Sequence, residues 1–525
     1  MRETRRIIKI SALIILLIIN TSLISLATFR LKRSNTTKKT VLPETYFSGK
    51  NTSIHTDTAT TSNATKLDLG KLRNYVLNKL ITEIGGFPLF TEGDGYINAT
   101  YFGILTVYAL GGMSEYTNRL KNWLNYSYDE EIYGFRDWIG NNASFTATLW
   151  GLLIFNFTGI KPTGFSFNST IEYLNSTLRT LSTDELDLIS TSLLLKVLYL
   201  FHYRLSEGYI SNLIGALEEH LFNFYDQQIG FFYDPKVNIG EIIQTYFCIS
   251  ALSTANKSKI SPTMAQNIAN SLIKHQHIGH ESDDMIGGFH SDNEEPNVFE
   301  TGLATEMLVW FLKNKLLDEE TATLISNDEF WSNVTLFVNK SQDADGGILS
   351  SPKSKIKSIF HAYGAISVYL SRNLLKEYAR ISTNIKPSDQ IAIDYNGTIT
   401  TETEIEIMGE KMHNLTGFFT VQNTFNGDVY LGKVQEENSK YICNISTLIN
   451  ITFGRYYVNI TLFRTIGLNN ITFTSQASFR IGYSISVDIS ETFVKPSDNI
   501  SLSIHVKFHN GSYVNNSIIS IMLQH

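Results

Sequence analysis

Apolar residues recur at helical spacing from Leu67 to about Arg380, and at strand-like alternation from there onward. In the first region a turn signal punctuates the helices. Gly85-Gly86-Phe87, Tyr133-Gly134-Phe135, Ile229-Gly230-Phe231, Gly287-Gly288-Phe289 and Gly346-Gly347-Ile348 each precede an apolar helix. Counted on the second glycine, the gaps are about 48, 96, 58 and 59 residues. The second gap is twice the first, which predicts a degenerate copy near Ser182. There Thr183-Asp184-Glu185-Leu186-Asp187 leads into an apolar run without glycines. A period of this length marks a repeat architecture, and six units of two helices are predicted.

Each unit reads as an amphipathic helix, a glycine turn, a polar loop and a second, more apolar helix. The second helices are predicted at Ala99–Gly111, Phe145–Phe157, Leu186–Tyr203, Ile242–Ala255, Thr301–Lys313 and Ile359–Asn373. Five of them share a pattern: Thr100-Tyr101-Phe102-Gly103, Thr148-Leu149-Trp150-Gly151, Thr245-Tyr246-Phe247-Cys248, Thr301-Gly302-Leu303-Ala304 and His361-Ala362-Tyr363-Gly364. The small residue a turn after the leading position suits close helix approach. Helices apolar nearly all round belong in an inner ring, with amphipathic helices outside. The glycine pairs then read as left-handed caps that reverse the chain between rings. The predicted fold is an (α/α)6 toroid of about twelve helices over 67–382.

Beyond it, Ile385-Lys386-Pro387-Ser388-Asp389 reads as a linker. Ile391–Tyr395, Thr398–Ile407, Gly417–Asn423, Lys440–Ile445, Gly454–Arg464 and Ala477–Ser486 read as strands separated by turns such as Asn396-Gly397 and Asn426-Gly427. That pattern predicts an Ig-like β-sandwich over 383–484. Val494-Lys495-Pro496-Ser497-Asp498 echoes the first linker, so 485–525 reads as the start of a second sandwich, cut short at His525.

The N-terminus adds a membrane element. Arg2, Arg5, Arg6 and Lys9 precede the apolar run Ile10–Phe29, and Arg30, Lys32 and Arg33 follow it. About 20 apolar residues reach across a hydrocarbon core. Residues 1–33 therefore read as a signal anchor, or a signal peptide with a cleavage site at Ser25-Leu26-Ala27. Residues 34–66 are a Ser/Thr/Asn-rich stalk. The bulk is expected on the exported side of a membrane, in the ER lumen or on an extracytoplasmic face. About twenty Asn-X-Ser/Thr sites agree with export, and Asn35, Asn51, Asn63, Asn396, Asn414 and Asn510 are glycosylation candidates. A net charge of −7 argues against a nucleic-acid partner. The two cysteines, Cys248 and Cys443, fall in different predicted domains, so disulfides are not what holds the chain together.

Candidate chemistry is thin. Zinc prenyltransferases of toroid fold use an Asp-X-Cys pair and a later histidine. His361 suits the histidine, but Val298-Phe299-Glu300-Thr301-Gly302 stands where the pair belongs. Class II terpene cyclases protonate an alkene from Asp-X-Asp-Asp, and Asp343-Ala344-Asp345-Gly346 lacks the last acid; Asp283-Asp284 is a second acidic pair, and turn roles account for both. No thioester motif of the complement type is present. His277 and His280, in His275-Gln276-His277-Ile278-Gly279-His280-Glu281, complete the weak metal candidates, with His277 and Glu281 sharing a face only if the segment is helical. No catalytic residue, cofactor or metal is assigned.

Three stretches resemble the ribophorin II family of oligosaccharyltransferase subunits. They are Gly288-Phe289-His290 through Glu300-Thr301-Gly302-Leu303-Ala304, Phe453-Gly454-Arg455-Tyr456-Tyr457-Val458 through Ser484-Ile485-Ser486-Val487-Asp488-Ile489, and Phe508-His509-Asn510-Gly511 through Met522-Leu523-Gln524. The toroid part is also similar to the prenyltransferase and squalene-cyclase superfamily. The ribophorin resemblance implies a non-catalytic accessory subunit, not itself an enzyme. Its partners would be the catalytic oligosaccharyltransferase chain and other membrane subunits. The alternatives are a terpene-cyclase or prenyltransferase-like enzyme, and a small-ligand carrier.

Overall fold

The computed structural model describes residues 66–525 apart from 91–92, 181–184, 202–206, 238, 280–282, 292–293, 387–398, 425–428, 446–453, 482–483, 490–501 and 508–525. The anchor, the stalk and the candidates Asn35, Asn51, Asn63, Asn396, Asn510 and His280 lie outside the described residues, as does the predicted strand Ile391–Tyr395. Among the described residues no helix is long and apolar enough to cross a membrane.

Outer and inner helices alternate along the chain. The first unit pairs α1 (Leu69–Tyr75, extended by a π turn at Val76–Leu80) with α2 (Ile97–Ala109), and the second pairs α3 (Met113–Ser127) with α4 (Phe145–Thr158). Then follow α5 (Phe167–Thr180) with α6 (Leu188–Phe201), α7 (Glu207–Phe222) with α8 (Glu241–Asn256), and α9 (Pro262–Lys274) with α10 (Val298–Lys313). A short extra helix α11 (Glu319–Ser326) precedes the last pair, α12 (Asp328–Lys340) and α13 (Ile359–Ser371). The degenerate third unit is present: Asp187 caps α6 by accepting from the Ser190 amide at 2.6 Å.

The burial patterns sort the rings. Helix α3 buries one stripe, Tyr116, Leu120, Trp123, Leu124 and Ser127, whereas α2 buries all but its least inward positions. Each inner helix packs on the next, and α13 returns to α2, so the inner ring closes. The outer seam closes as well. The Asp68 amide donates to Gln342 Oε1 at 2.8 Å, and Gln342 Nε2 donates to the Asp68 carbonyl at 2.9 Å. The molecule contains an α/α toroid.

The glycine pairs are not helix caps. Helices α3, α9 and α12 end at Ser127, Lys274 and Lys340, several residues before their glycines. The pairs instead turn short β-hairpins, such as Tyr128–Asp129 against Gly134–Phe135. At the first pair, Gly85 takes a φ of +112°, and a Cβ on Gly86 would come within 2.1 Å of the Trp123 indole nitrogen. The turn is thus pressed onto the next unit's outer helix. Close helix approach holds at Gly302, where a Cβ would meet the Gly364 backbone at 2.5 Å. At Gly103 and Gly151 the vacated space is filled by Phe87 and Phe135.

Strands begin directly after the toroid. The sequence places a linker at Ile385, yet β1 (Ala379–Lys386) is already paired with β2 (Thr400–Ile407). Its alternating residues, one side half-buried and the other exposed, account for the strand. β3 (Thr416–Asn423), β4 (Val429–Lys433), β5 (Lys440–Asn444), β6 (Gly454–Ile466) and β7 (Asn469–Ile481) follow. One antiparallel sheet carries β5-β2-β1 and the other β7-β6-β3-β4. Tyr456, Val458, Ile460 and Leu462 of β6 are buried with Ile405, Phe419 and Tyr441. Beyond these sheets, β8 (Ser484–Ile489) pairs with β9 (Leu502–Lys507). Cys248 and Cys443 are buried free thiols.

Candidate active site

The leading threonine of the repeated helix pattern positions the loops of one toroid mouth. Thr100 Oγ1 accepts from the Phe87 amide at 3.0 Å, Thr148 from Phe135 at 2.9 Å, Thr245 from Phe232 at 3.0 Å and Thr301 from Phe289 at 2.9 Å. Thr148 and Thr301 in turn donate to the carbonyls of the N-caps Ser144 and Asn297, each at 2.7 Å. Four of the five glycine turns are thereby locked to the start of their own inner helices. The residues just past the turn must then rise around the mouth.

They surround a cleft of about 800 Å³. The turns supply Leu89, Phe90, Asp137, Trp138, Ile239, Ser350 and Ile356, and the first two turns of the inner helices supply Asn98, Phe102, Trp150, Phe247, Phe299, Phe360 and His361. Phe102 is the hub of the floor, with ring centroids 5.4 Å from Phe299, 5.5 Å from Phe360 and 6.0 Å from Trp150. The rim is wetter: Phe90 is 60% exposed and Trp138 37%.

Asp137 is the one carboxyl among the described residues lining the cleft, and no Lys or Arg lines it. Its carbonyl accepts from the Ile97 amide at 2.9 Å, which holds the loop of unit two against the helix of unit one. Its Oδ2 accepts from Ser144 Oγ at 3.1 Å. Ser144 spends its lone pair on the Ala147 amide as the N-cap of α4, so its proton is free for Asp137. Burial raises the Asp137 pKa, and the Ser144 hydrogen bond only partly offsets this. His361, in the threonine position of the sixth unit, pairs Nδ1 with Ser358 Oγ at 3.1 Å. Burial lowers its pKa to about 4, so the imidazole is neutral.

The other residues singled out by sequence stand apart from this cleft. His277 follows the end of α9, outside any helix, and its Nε2 meets Asp283 Oδ2 at 2.7 Å. Asp284 pairs with Lys340 at 2.8 Å. Lys357 bonds both Asp343 and Asp345, at 2.5 and 2.9 Å, and its hydrogen bond holds the Asp343 pKa below the usual range. Ionised acids of this kind do not protonate alkenes. Glu300 is turned away to Ser291, whose amide and hydroxyl it engages at 2.8 and 2.7 Å. Asn414 is exposed in a left-handed conformation, φ 57°. Among the described residues no three His, Cys, Asp or Glu side chains converge on a metal position.

Asp137 was missed because it belongs to no known motif. Its signal is positional: it stands three residues after Gly134, as Leu89 does after Gly86 and Ser350 after Gly347.

Beneath the floor, the lumen holds a buried carboxyl, Glu306. Its oxygens accept from Tyr363 at 2.8 Å, Ser367 at 2.5 Å, Tyr246 at 3.1 Å and the Leu468 amide at 2.8 Å. Leu468 lies in the β6–β7 turn, so this hairpin of the β domain closes the other end of the lumen. Asn469 adds a 2.8 Å bond to Ser371. The sequence places the strand ends at Arg464 and Ala477 and so overlooks this turn.

No family model matches the chain, and no curated protein matches it. Solved structures similar to it are a polysaccharide lyase (14% identity, TM-score 0.40, covering 58% of this chain and 96% of that one) and an α-1,6-mannanase from Salegentibacter sp. (11%, 0.38, 58% and 98%). A type II terpene cyclase from Scytonema is similar at 13% identity and TM-score 0.39, covering 58% of this chain and 99% of that one. All three are enzymes, and none is an oligosaccharyltransferase subunit. The expectation of a chain that is not an enzyme is therefore corrected. It rested on the ribophorin resemblance and on the thin candidate chemistry of the sequence.

Proposed function

We propose that the chain is a toroid enzyme that protonates a large, apolar, unsaturated substrate held in the aromatic cleft. The carrying observation is a single raised-pKa carboxyl facing a cavity of about 800 Å³ walled by Phe90, Tyr96, Phe102, Trp138, Trp150, Phe247, Phe299 and Phe360. Asp137 donates its proton to an alkene carbon, leaving positive charge on the neighbouring carbon. The faces of Phe102, Trp150 and Phe247 stabilise that charge, each such contact contributing on the order of 1–2 kcal/mol when desolvated. The neutral His361 adds no competing cation. Water at the mouth takes a proton from a carbon beside the final cation, or adds to that cation and loses a proton, and solvent then reprotonates Asp137.

The same inventory weighs against other toroid chemistries. Glycoside hydrolysis by the usual route needs two carboxyls across the scissile bond, and diphosphate chemistry needs cations around the leaving group. The described lining offers neither. The run Ile10–Phe29 would tether the toroid at a membrane, where apolar substrates reside. Linear polyprenyl compounds offered to the full chain in D2O should yield a product carrying one new C–D bond, absent with Asp137→Asn. An unchanged product with Asp137→Asn, or turnover of glycans instead, would sink the reading.

A further inference from the structure

We propose that Lys196 is a covalent acceptor, its amine forming an imine with an apolar aldehyde whose chain lies in the cleft. The proposal rests on reading the cleft as the substrate site. Helix α6 is apolar around this position, Leu193-Leu194-Leu195-Lys196-Val197-Leu198, yet Lys196 points into the lumen. Its Nζ donates to Ser250 Oγ at 2.7 Å, a hydroxyl rather than a carboxylate. It borders a small hole of about 10 Å³ together with Tyr101, Ser192 and Tyr246. Phe102, Trp150 and Phe247 line both the hole and the cleft, with centroids 5.7 to 6.4 Å apart. One layer of rings therefore separates the amine from the substrate cavity.

A leucine or methionine would fill this place without the cost of burying an amine. What the amine adds is nucleophilicity. Burial brings the Lys196 pKa down to about 8, although the charge of Glu306 opposes the shift. Roughly a tenth of it is then neutral at pH 7, against about one part in 2,500 for an ordinary lysine. The neutral nitrogen attacks the carbonyl carbon, a proton moves from nitrogen to oxygen, and water leaves as the C=N bond forms. The hole has room for about one water. The floor rings must turn to admit the carbonyl end.

The test is to incubate the full chain with decanal, reduce with borohydride, and map the decyl adducts by peptide mass spectrometry. Lys196 should be labelled at least tenfold faster than the median surface lysine, and decanol, which has the chain but no carbonyl, should slow it. Adducts confined to surface lysines, or no protection by decanol, would overturn the proposal. Asp137→Asn separates it from the proposed turnover. Labelling that persists in a variant that no longer turns over supports Lys196; turnover without labelling removes the imine and leaves the cleft reading intact.

Discussion

Proton affinity in the cleft follows from enclosure rather than from neighbouring charge. Asp137 is half-buried and receives one side-chain hydrogen bond, and its pKa is raised. If its protonated form starts the reaction, kcat should be flat at low pH and fall as pH rises through that raised value. Ser144→Ala removes the hydrogen bond that favours the carboxylate and should move the fall to higher pH. A pH–rate profile of both proteins checks the direction. Glu300 gives the matching stability test. Burial pushes its pKa up to about 7 from 4.5, outweighing the Ser291 hydrogen bonds. A carboxyl raised on folding stabilises fully below its unfolded value and loses that contribution as pH rises through the folded one. Stability should therefore drop by roughly 3 kcal/mol between about pH 4.5 and 7, read as a falling melting temperature, and Glu300→Gln should abolish the slope.

The Thr-to-amide bond is the repeated unit of this toroid, and it acts at the level of elements. Thr245 ties the Phe231–Phe232 hairpin strand to α8, and both its oxygen and the Phe232 amide are buried. Thr245→Val keeps the volume and strands that amide, which should cost roughly 1–3 kcal/mol and distort the wall near Phe247. Urea unfolding and ligand affinity together report both effects. This level was the most legible in the sequence. The period of the glycine turns gives six units, and the all-round apolar character of the second helices gives the inner ring. The role of the threonines was not legible, since a hydroxyl at a helix start reads equally as a cap. Asp137 was illegible for another reason: a site assembled from one residue per repeat has no local motif. Only the closed ring brings Phe90, Asp137, Ile239 and His361 to one mouth.

The whole molecule depends on a contact between its two kinds of architecture. Glu306 is fully buried, and four donors saturate its two oxygens; one, the Leu468 amide, comes from the β domain. The turn that carries it fits because residue 467 is glycine, with φ +64° and space for no side chain: a Cβ would lie 2.3 Å from Glu306 and 2.4 Å from the Tyr363 hydroxyl. Arg464, at the base of the same hairpin, lies over the Phe157 and Tyr108 rings at 4.3 and 4.9 Å. Gly467→Val should thus lift the hairpin from the lumen. A buried carboxyl that loses a charge-assisted donor forfeits roughly 1.5–3 kcal/mol, and hydration of the opened lumen adds to the loss. The variant should unfold in two steps where the parent unfolds in one, with amide exchange at Leu468 and in α13 accelerated together. Arg464→Ala keeps the turn and the Leu468 bond to Glu306 but removes the flanking stack and the guanidinium's bonds to the Asn414 and Phe157 carbonyls, so it should weaken docking without opening the lumen. If Gly467→Val leaves exchange in α13 unchanged, the hairpin is an ornament of the β domain and the toroid holds its buried acid alone.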